Sequence, residues 1–360
     1  MCSISRKPLS SATIPSRSPD ERRAALALTL VADVGSVTHR QLTERFGSAS
    51  RALDDGVPQH LVHDAYRRAD DLIALGAARG LELTTNCDDR YPGSLRELND
   101  PPAVLWSAGD WNTLRGPVVS VVGTRRATAY GQRVTRELVG ALSRAGACVV
   151  SGMALGIDAT AHRSALDNDG QTIAVLGTGA DIAYPKAHSA LHREIVARGL
   201  VLSELAPGAR SDAGSFPRRN RIIAGLAALT IVVEAPFKSG ALITSTCALD
   251  LGRDVAAVPG PIDMPQSQGT NQLIRDGAHI ITCVADALSL LGLDAPARSQ
   301  PELRGEAEQR IWAALTAGAS TLDELCASSA LPVAQCLGAV TALELRGAVE
   351  CALTGEIRRR

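Results

Sequence analysis

From residue 20 to about residue 80 the apolar positions Leu26, Leu30, Val34, Leu42, Phe46, Leu53, Leu61, Ala65 and Leu72 fall at helical spacing. That spacing lines one face of a helix, and the interrupting glycines predict several short helices. Beyond residue 116 the period changes. Short β-branched runs at 118–122, 147–151, 172–176, 200–203, 229–233 and 255–258 alternate with helix-length segments. This is the pattern of a parallel sheet covered by helices, so the fold class is α/β with an extended Rossmann-like core over 81–292. Within it, 81–115 contains Tyr91-Pro92, Asp100-Pro101-Pro102 and two tryptophans. Prolines exclude a long helix there and aromatics can seal a domain edge, so the segment reads as a packed connector.

The flanks read differently. Residues 1–19 mix Ser, Pro and Arg without an apolar stretch, which predicts a disordered tail and not a secretory signal. Residues 20–80 form a small helical domain of the SAM/helix-hairpin-helix type. Its ADVGSVTHRQLTERFGS segment could aim turn amides at a phosphate, but such a turn also simply joins packed helices, and the joining role is favoured. Residues 293–305 are polar with two prolines, as suits a linker. Helices are predicted at 306–315, 321–327 and 333–345, and AVECALTGEIRRR after Gly347 can pair as a hairpin. Residues 306–360 are therefore winged-helix-like.

Composition narrows the class. A chain of 360 residues predicts two or three domains. With aromatics at 3%, the core must be built from Ala, Val, Leu and Ile. The 37 Lys+Arg against 38 Asp+Glu give no basic footprint, so local patches must decide whether nucleic acid is a ligand. The uncharged run 222–233 beside a strand is about a dozen residues, short of the roughly 20 apolar residues of a spanning helix. No membrane span and a cytoplasmic location are expected. Cysteines at 2, 87, 148, 247, 283, 326, 336 and 351 lack metal spacing, so free thiols and neither metal nor cofactor are expected.

Candidate chemistry lies in the loops that follow the strands. In VVGTRRATAYG, Gly123 permits a tight turn, and the helix beginning near Tyr130 is expected to offer unpaired amides to an anion. Arg125 and Arg126 stand where a GxGxxG loop keeps small residues against a pyrophosphate, which favours an exposed phosphodiester. SGMALGIDATAH is a second Gly-rich loop entering a helix. Asp158 and His162 could form an acid–base pair, but helix-end stabilisation by Asp158 and local packing of His162 are favoured, and neither is assigned catalysis. FPRRNR is the densest basic patch, with Arg218, Arg219 and Arg221 around Asn220 and Phe216 read as an exposed aromatic. Such a set suits single-stranded DNA, with phosphates on guanidinium groups and a base stacked on Phe216 for about 1–3 kcal/mol; the alternative is a solvated helix end. EAPFKSGALIT places Lys238, Ser239 and Gly240 at a further junction on the same carboxyl edge. Convergence of these loops where open α/β sheets bind ligands favours a site.

Residues 91–280 carry, in order, YPGSLRELNDPPAVLWSAGD, VVGTRRATAYG, VVSGMALGIDATAHRSAL, TIAVLGTG, a following YP, FPRRNRIIAGL, VVEAPFKSGALIT and AVPGPIDMPQSQGTNQLIRDGA. This series resembles the DNA-processing protein A family, also called DprA or Smf. The resemblance implies a core that binds and protects single-stranded DNA and helps load the RecA recombinase in natural transformation, as a homodimer and without catalytic turnover. Carried over by position, the DNA-contacting loops fall on Gly123, Thr124, Arg125 and Arg126, on Ser151 and Gly152, on Phe216, Arg218, Asn220 and Arg221, and on Lys238, Ser239 and Gly240. Leu155 stands where the family's SGxAxGID loop is often basic.

Two enzyme classes compete. Nucleoside monophosphate phosphoribohydrolases of related fold carry PGGxGTxxE, whereas VVEAPFKSG lacks the Gly-rich segment and trailing carboxylate, leaving Glu234 a structural role. An NAD-dependent dehydrogenase requires GxGxxG and an acidic residue about 20 positions later, and VVGTRRATAYG supplies neither.

Overall fold

The structure is a computed structural model and describes residues 19–212, 214–293, 303–352 and 355–359. The expected tail at 1–19 and linker at 293–305 lie outside these apart from Pro19, Leu293 and residues 303–305. The chain divides between Ala295 and Pro296 into two compact units.

The first unit opens with α1 (Pro19–Thr29), α2 (Ser36–Phe46), α3 (Ala49–Gly56) and α4 (Gln59–Ala78). The glycine turn at Gly35 joins α1 to α2, and buried His39 places Nε2 3.2 Å from the Ala25 carbonyl oxygen. Ala24, Leu28, Leu53 and Ala69 share one apolar cluster with Trp106 of the sheet. Gly76 is the point of closest approach, because a Cβ there would overlap the Trp106 ring. The helical segment and the sheet, read separately in the sequence, thus form one unit.

The sheet strands are β1 (Glu82–Thr85), β2 (Val104–Gly109), β3 (Val118–Val122), β4 (Cys148–Ser151), β5 (Thr172–Val175), β6 (Leu200–Ser203), β7 (Leu229–Val232), β8 (Asp254–Ala257) and β9 (His279–Ile280). Their spatial order is β1-β2-β6-β5-β4-β3-β7-β8-β9. From β6 to β9 every pairing is parallel, and β2 pairs antiparallel with both β6 and β1. The segment read as a connector therefore supplies edge strand β1 and its neighbour β2. Pro101 and Pro102 only bound the second, whose VLWSAG run is apolar and nearly all buried.

The intervening helices are α5 (Gly93–Arg96), α6 (Ala129–Arg144), α7 (Ile157–Asp167), α8 (Ser189–Arg198), α9 (Ser215–Leu226), α10 (Gly240–Asp250), α11 (Gln268–Arg275) and α12 (Val284–Leu290). Alternate residues of each strand face opposite layers. Val118, Val150 and Val175 meet Ile222, Ile223 and Leu226 of α9, while Val119, Val149 and Ile231 meet α6, α7 and α12. The buried polar pair on the central strands is satisfied internally, with Ser120 Oγ donating to Thr230 Oγ1 at 2.8 Å. Because β4 and β7 lie on opposite sides of β3, the chain reverses direction there, and the crevice at such a switch point lies beyond the carboxyl ends of β3 and β7.

The second unit contains α13 (Glu306–Thr316), α14 (Leu322–Ser329), α15 (Val333–Leu345) and an antiparallel hairpin of β10 (Val349–Cys351) and β11 (Ile357–Arg359). Ile311, Leu325, Cys336, Leu343 and Val349 make its core. A capping box starts α14, with Thr321 Oγ1 accepting from the Glu324 amide and the Glu324 carboxylate accepting from the Thr321 amide at 3.2 Å. The order of three helices and hairpin is that of a winged helix. Among the described residues no single helix is long and apolar enough to cross a membrane.

Candidate nucleic-acid interface

The loop after β3 is fixed by its neighbours. The Thr124 amide donates to the Glu234 carbonyl at 2.7 Å, and the Thr124 carbonyl accepts from the Ile157 amide at 3.2 Å. Gly123 sits where a Cβ would press on Ile157, and Gly156, at φ +79, lies against the backbone of Thr124 and Arg125. These two glycines let the loops after β3 and β4 touch main chain to main chain. Thr124 is consequently buried, while Arg125 and Arg126 project outward and exposed.

Two of the neighbouring helix starts are already occupied by carboxylates. At α6, Thr128 Oγ1 accepts from the Gly131 amide at 3.1 Å, and buried Glu234 accepts from both the Thr128 amide and its hydroxyl. The expectation that this helix offers open amides to an anion is therefore corrected: a protein carboxylate already holds the positive end of its dipole. At α7, Asp158 Oδ2 accepts from the Gly152 amide at 3.2 Å and the Ala154 amide at 3.4 Å. Burial pushes the Asp158 carboxyl up, opposed by Arg219 and by the amides of Ala154, Gly152 and Gly123. Asp158 thus has the structural role favoured from the sequence. His162 does too: it is fully buried with Nδ1 2.7 Å from Thr172 Oγ1, and burial lowers its pKa to about 3.

The start of α10 differs. Ser239 is its N-cap residue without a side-chain cap, Ser239 Oγ has no partner among the described residues, and a Cβ on Gly240 would meet open space. Lys238 precedes them in a left-handed conformation at φ +58, exposed.

FPRRNR divides into separate tasks. Arg218 is exposed, but Arg219 is buried beneath the site and donates to the carbonyls of Gly152, at 2.8 Å, and Val175. Its guanidinium fills the space a Cβ on Gly152 would need, and burial lowers its pKa to about 10. Asn220, also buried, donates from Nδ2 to the Gly240 carbonyl at 3.1 Å and so ties α9 to α10. Arg221 is not an available cation. Its side chain is 9% exposed and ion-paired to Asp100 at 2.7 Å and Glu204 at 2.8 Å. Burial pulls its pKa down, yet the two carboxylates raise it above the ordinary value. Phe216 is half-buried and not the exposed ring expected: the Arg125 guanidinium lies 5.5 Å from its centroid and the Tyr184 ring 5.0 Å away.

All the sequence-predicted residues thus gather at one edge of the sheet. Ser151 is buried and donates from Oγ to the Val121 carbonyl at 2.7 Å, so it holds β4 to β3, while Gly152 lies over Arg219. The outward cations are Arg125, Arg126, Arg218 and Lys238, and among the described residues none of the four has an ion-pair partner. Beneath them, Asp158, Arg219 and Glu234 form a support; structural roles for Asp158 and Glu234 were read from the sequence, but the inward turn of Arg219 was not. A signal for it was present: Arg219 stands three and four residues before Ile222 and Ile223, on the apolar face of α9.

Fold and edge together define an open α/β protein whose carboxyl-edge crevice is walled by cationic and Gly-rich loops and followed by a winged helix. The family model for DNA recombination-mediator protein A matches residues 82–292, and that for the DprA winged helix domain matches residues 294–352. The chain belongs to the DNA-processing protein A (DprA/Smf) family. Protein Smf of Escherichia coli is 36% identical over 281 residues, covering 75% of each chain. Among solved structures, DNA processing protein A from Streptococcus pneumoniae superposes with a TM-score of 0.67 at 34% identity, covering 74% of this chain and 97% of that one. A second, DNA processing protein A from Helicobacter pylori, described for its single-stranded DNA binding mode, gives 0.54 at 32% identity, covering 59% of this chain and 95% of that one.

Proposed function

We propose that this protein binds single-stranded DNA along the carboxyl edge of its sheet, with phosphates held by Arg125, Arg126, Arg218 and Lys238 and by the open start of α10. The supporting observation is four exposed cations, without an ion-pair partner among the described residues, on one edge of a chain whose formal net charge is −1. Gly123, Thr124, Ser151, Gly152, Asn220 and Gly240 shape the loops, and Arg221 fixes α9 from within. The role is binding without turnover: the buried carboxylates and His162 are engaged in holding loops and helices, and family membership points the same way. In the cytoplasm the protein would shield incoming single strands and pass them to the RecA recombinase. Exposed Ile243, Leu249, Ile262 and Ile280 fall on α10, the β8–α11 connection and edge strand β9, which supports a homodimer formed at that end of the sheet.

Nuclease protection tests the reading. Stoichiometric protein should shield a single-stranded oligonucleotide from a single-strand nuclease at low salt and release it as salt rises. Equal digestion with and without protein would refute it.

A further inference from the structure

The second unit carries a surface that the single-strand reading leaves unused. α15 is apolar nearly all round: Cys336, Ala339, Val340 and Leu343 face the core of the unit, while Val333, Leu337 and Leu345 on its outward side are 57%, 48% and 84% exposed. Together with exposed Thr341 these recur every fourth residue and form one continuous ridge along the helix. Beside the ridge Ala334 is exposed, and a Cβ on Gly338 would meet open space. A helix that is apolar on every side is ordinarily covered on every side. Within the second unit nothing covers this face of α15.

A helix-turn-helix that reads duplex DNA lays its second helix in the major groove, with Lys and Arg neutralising the phosphates along it. Residues 311–345, which hold α14, α15 and the end of α13, contain neither Lys nor Arg. Their charges are Asp323, Glu324 and Glu344, all exposed. The arginines at either limit are engaged inside the unit, Arg310 with Glu306 and Arg346 with Glu308. A phosphate backbone laid on this helix pair would therefore meet carboxylates without compensation. The complement of the face is the inverse, an apolar stripe accompanied by positive charge.

We propose that the exposed face of α15 docks an α-helix of a partner protein, one whose apolar stripe is edged by Lys or Arg. Val333, Leu337 and Leu345 supply anchors at helical spacing, Gly338 admits the partner's side chains close to the backbone, and the three carboxylates select a cationic flank. The inference stands independently of the single-strand reading, because its residues all lie in the second unit.

The test uses the full chain and two fluorescent model helices about four turns long, identical in their leucine stripe and carrying either lysine or glutamate elsewhere. The leucine–lysine peptide should bind saturably, and the leucine–glutamate peptide about tenfold more weakly or less. Leu337→Ser, which removes one exposed anchor, should weaken the leucine–lysine peptide about tenfold while leaving the unfolding midpoint and single-strand affinity unchanged. Asp323→Asn should lower the salt dependence of peptide binding. A benzophenone placed in the leucine stripe should crosslink to residues 333–345. Equal binding of the two peptides, wild-type peptide affinity of a folded Leu337→Ser protein, or crosslinks confined to the first unit would overturn the proposal. Displacement of the crosslinked peptide from α15 by a duplex oligonucleotide would overturn it in favour of nucleic acid, and self-association of the wild type that Leu337→Ser abolishes would overturn it in favour of a second copy. None of these outcomes touches the single-strand reading, which nuclease protection decides separately.

Discussion

Arg125 and Arg221 belong to motifs that look alike in sequence, and the fold gives them opposite surroundings. Arg125 is exposed with its guanidinium over Phe216, so Arg125→Ala should weaken single-strand binding at all sequences and reduce the salt slope by about 0.7, one phosphate's worth of released counterion. Titration at several salt concentrations checks this. Arg221 holds Asp100 and Glu204 at the base of α9. Arg221→Ala should leave two carboxylates facing each other without a partner and cost on the order of 2 kcal/mol of stability, read by denaturant unfolding, with the salt slope unchanged. A lower slope from a folded Arg221→Ala protein would put that guanidinium back in the interface. The sequence marked the patch, but one-dimensional spacing could not say which arginines would turn inward. That depends on Ile222, Ile223 and Leu226 docking α9 on the sheet.

Helices and strands were legible to different degrees. The six parallel strands at 118–258 stood out because buried parallel strands read as unbroken apolar runs. β1 and β2 did not, since ELTT is short and polar and the prolines before VLWSAG drew the segment toward a connector. The state of each helix start was also invisible, because Glu234, which caps α6, is more than a hundred residues away in sequence. Docking of α7 on β5 carries a pH signature. His162 is neutral in the folded protein, with a pKa near 3 against the ordinary 6.5. The unfolded chain therefore binds the extra proton between about pH 6.5 and pH 3, and stability should fall progressively as pH drops through that window. His162→Gln, which cannot titrate there, should flatten this acid limb in urea unfolding followed across pH. An unchanged limb would place the titration elsewhere. Packing of α4 gives a sharper expectation: Gly76→Val should drive a branched side chain into Trp106 and lower the unfolding midpoint, whereas Gly80→Ala, at a turn with open space around it, should cost only its left-handed backbone strain.

At the scale of the whole molecule, all the interface residues lie in the first unit and the winged helix is a separate compact unit. Removing residues 296–360 should leave single-strand affinity within a few-fold of the full chain, and complete loss would move the site into the second unit. Domain order, sheet class and the loops that meet at the carboxyl edge were readable because each rests on local periodicity and turn chemistry. The fusion of the N-terminal helices with the sheet was not, because it depends on Trp106 meeting Gly76. The central claim is that this edge holds polynucleotide and not mononucleotide. Fluorescence anisotropy of the full chain with labelled single-stranded and double-stranded oligonucleotides, across salt concentrations and with AMP and NAD as competitors, tests it most directly. Salt-dependent binding that prefers single strands and ignores both nucleotides is the predicted result; weak strand binding displaced by AMP or NAD would contradict it.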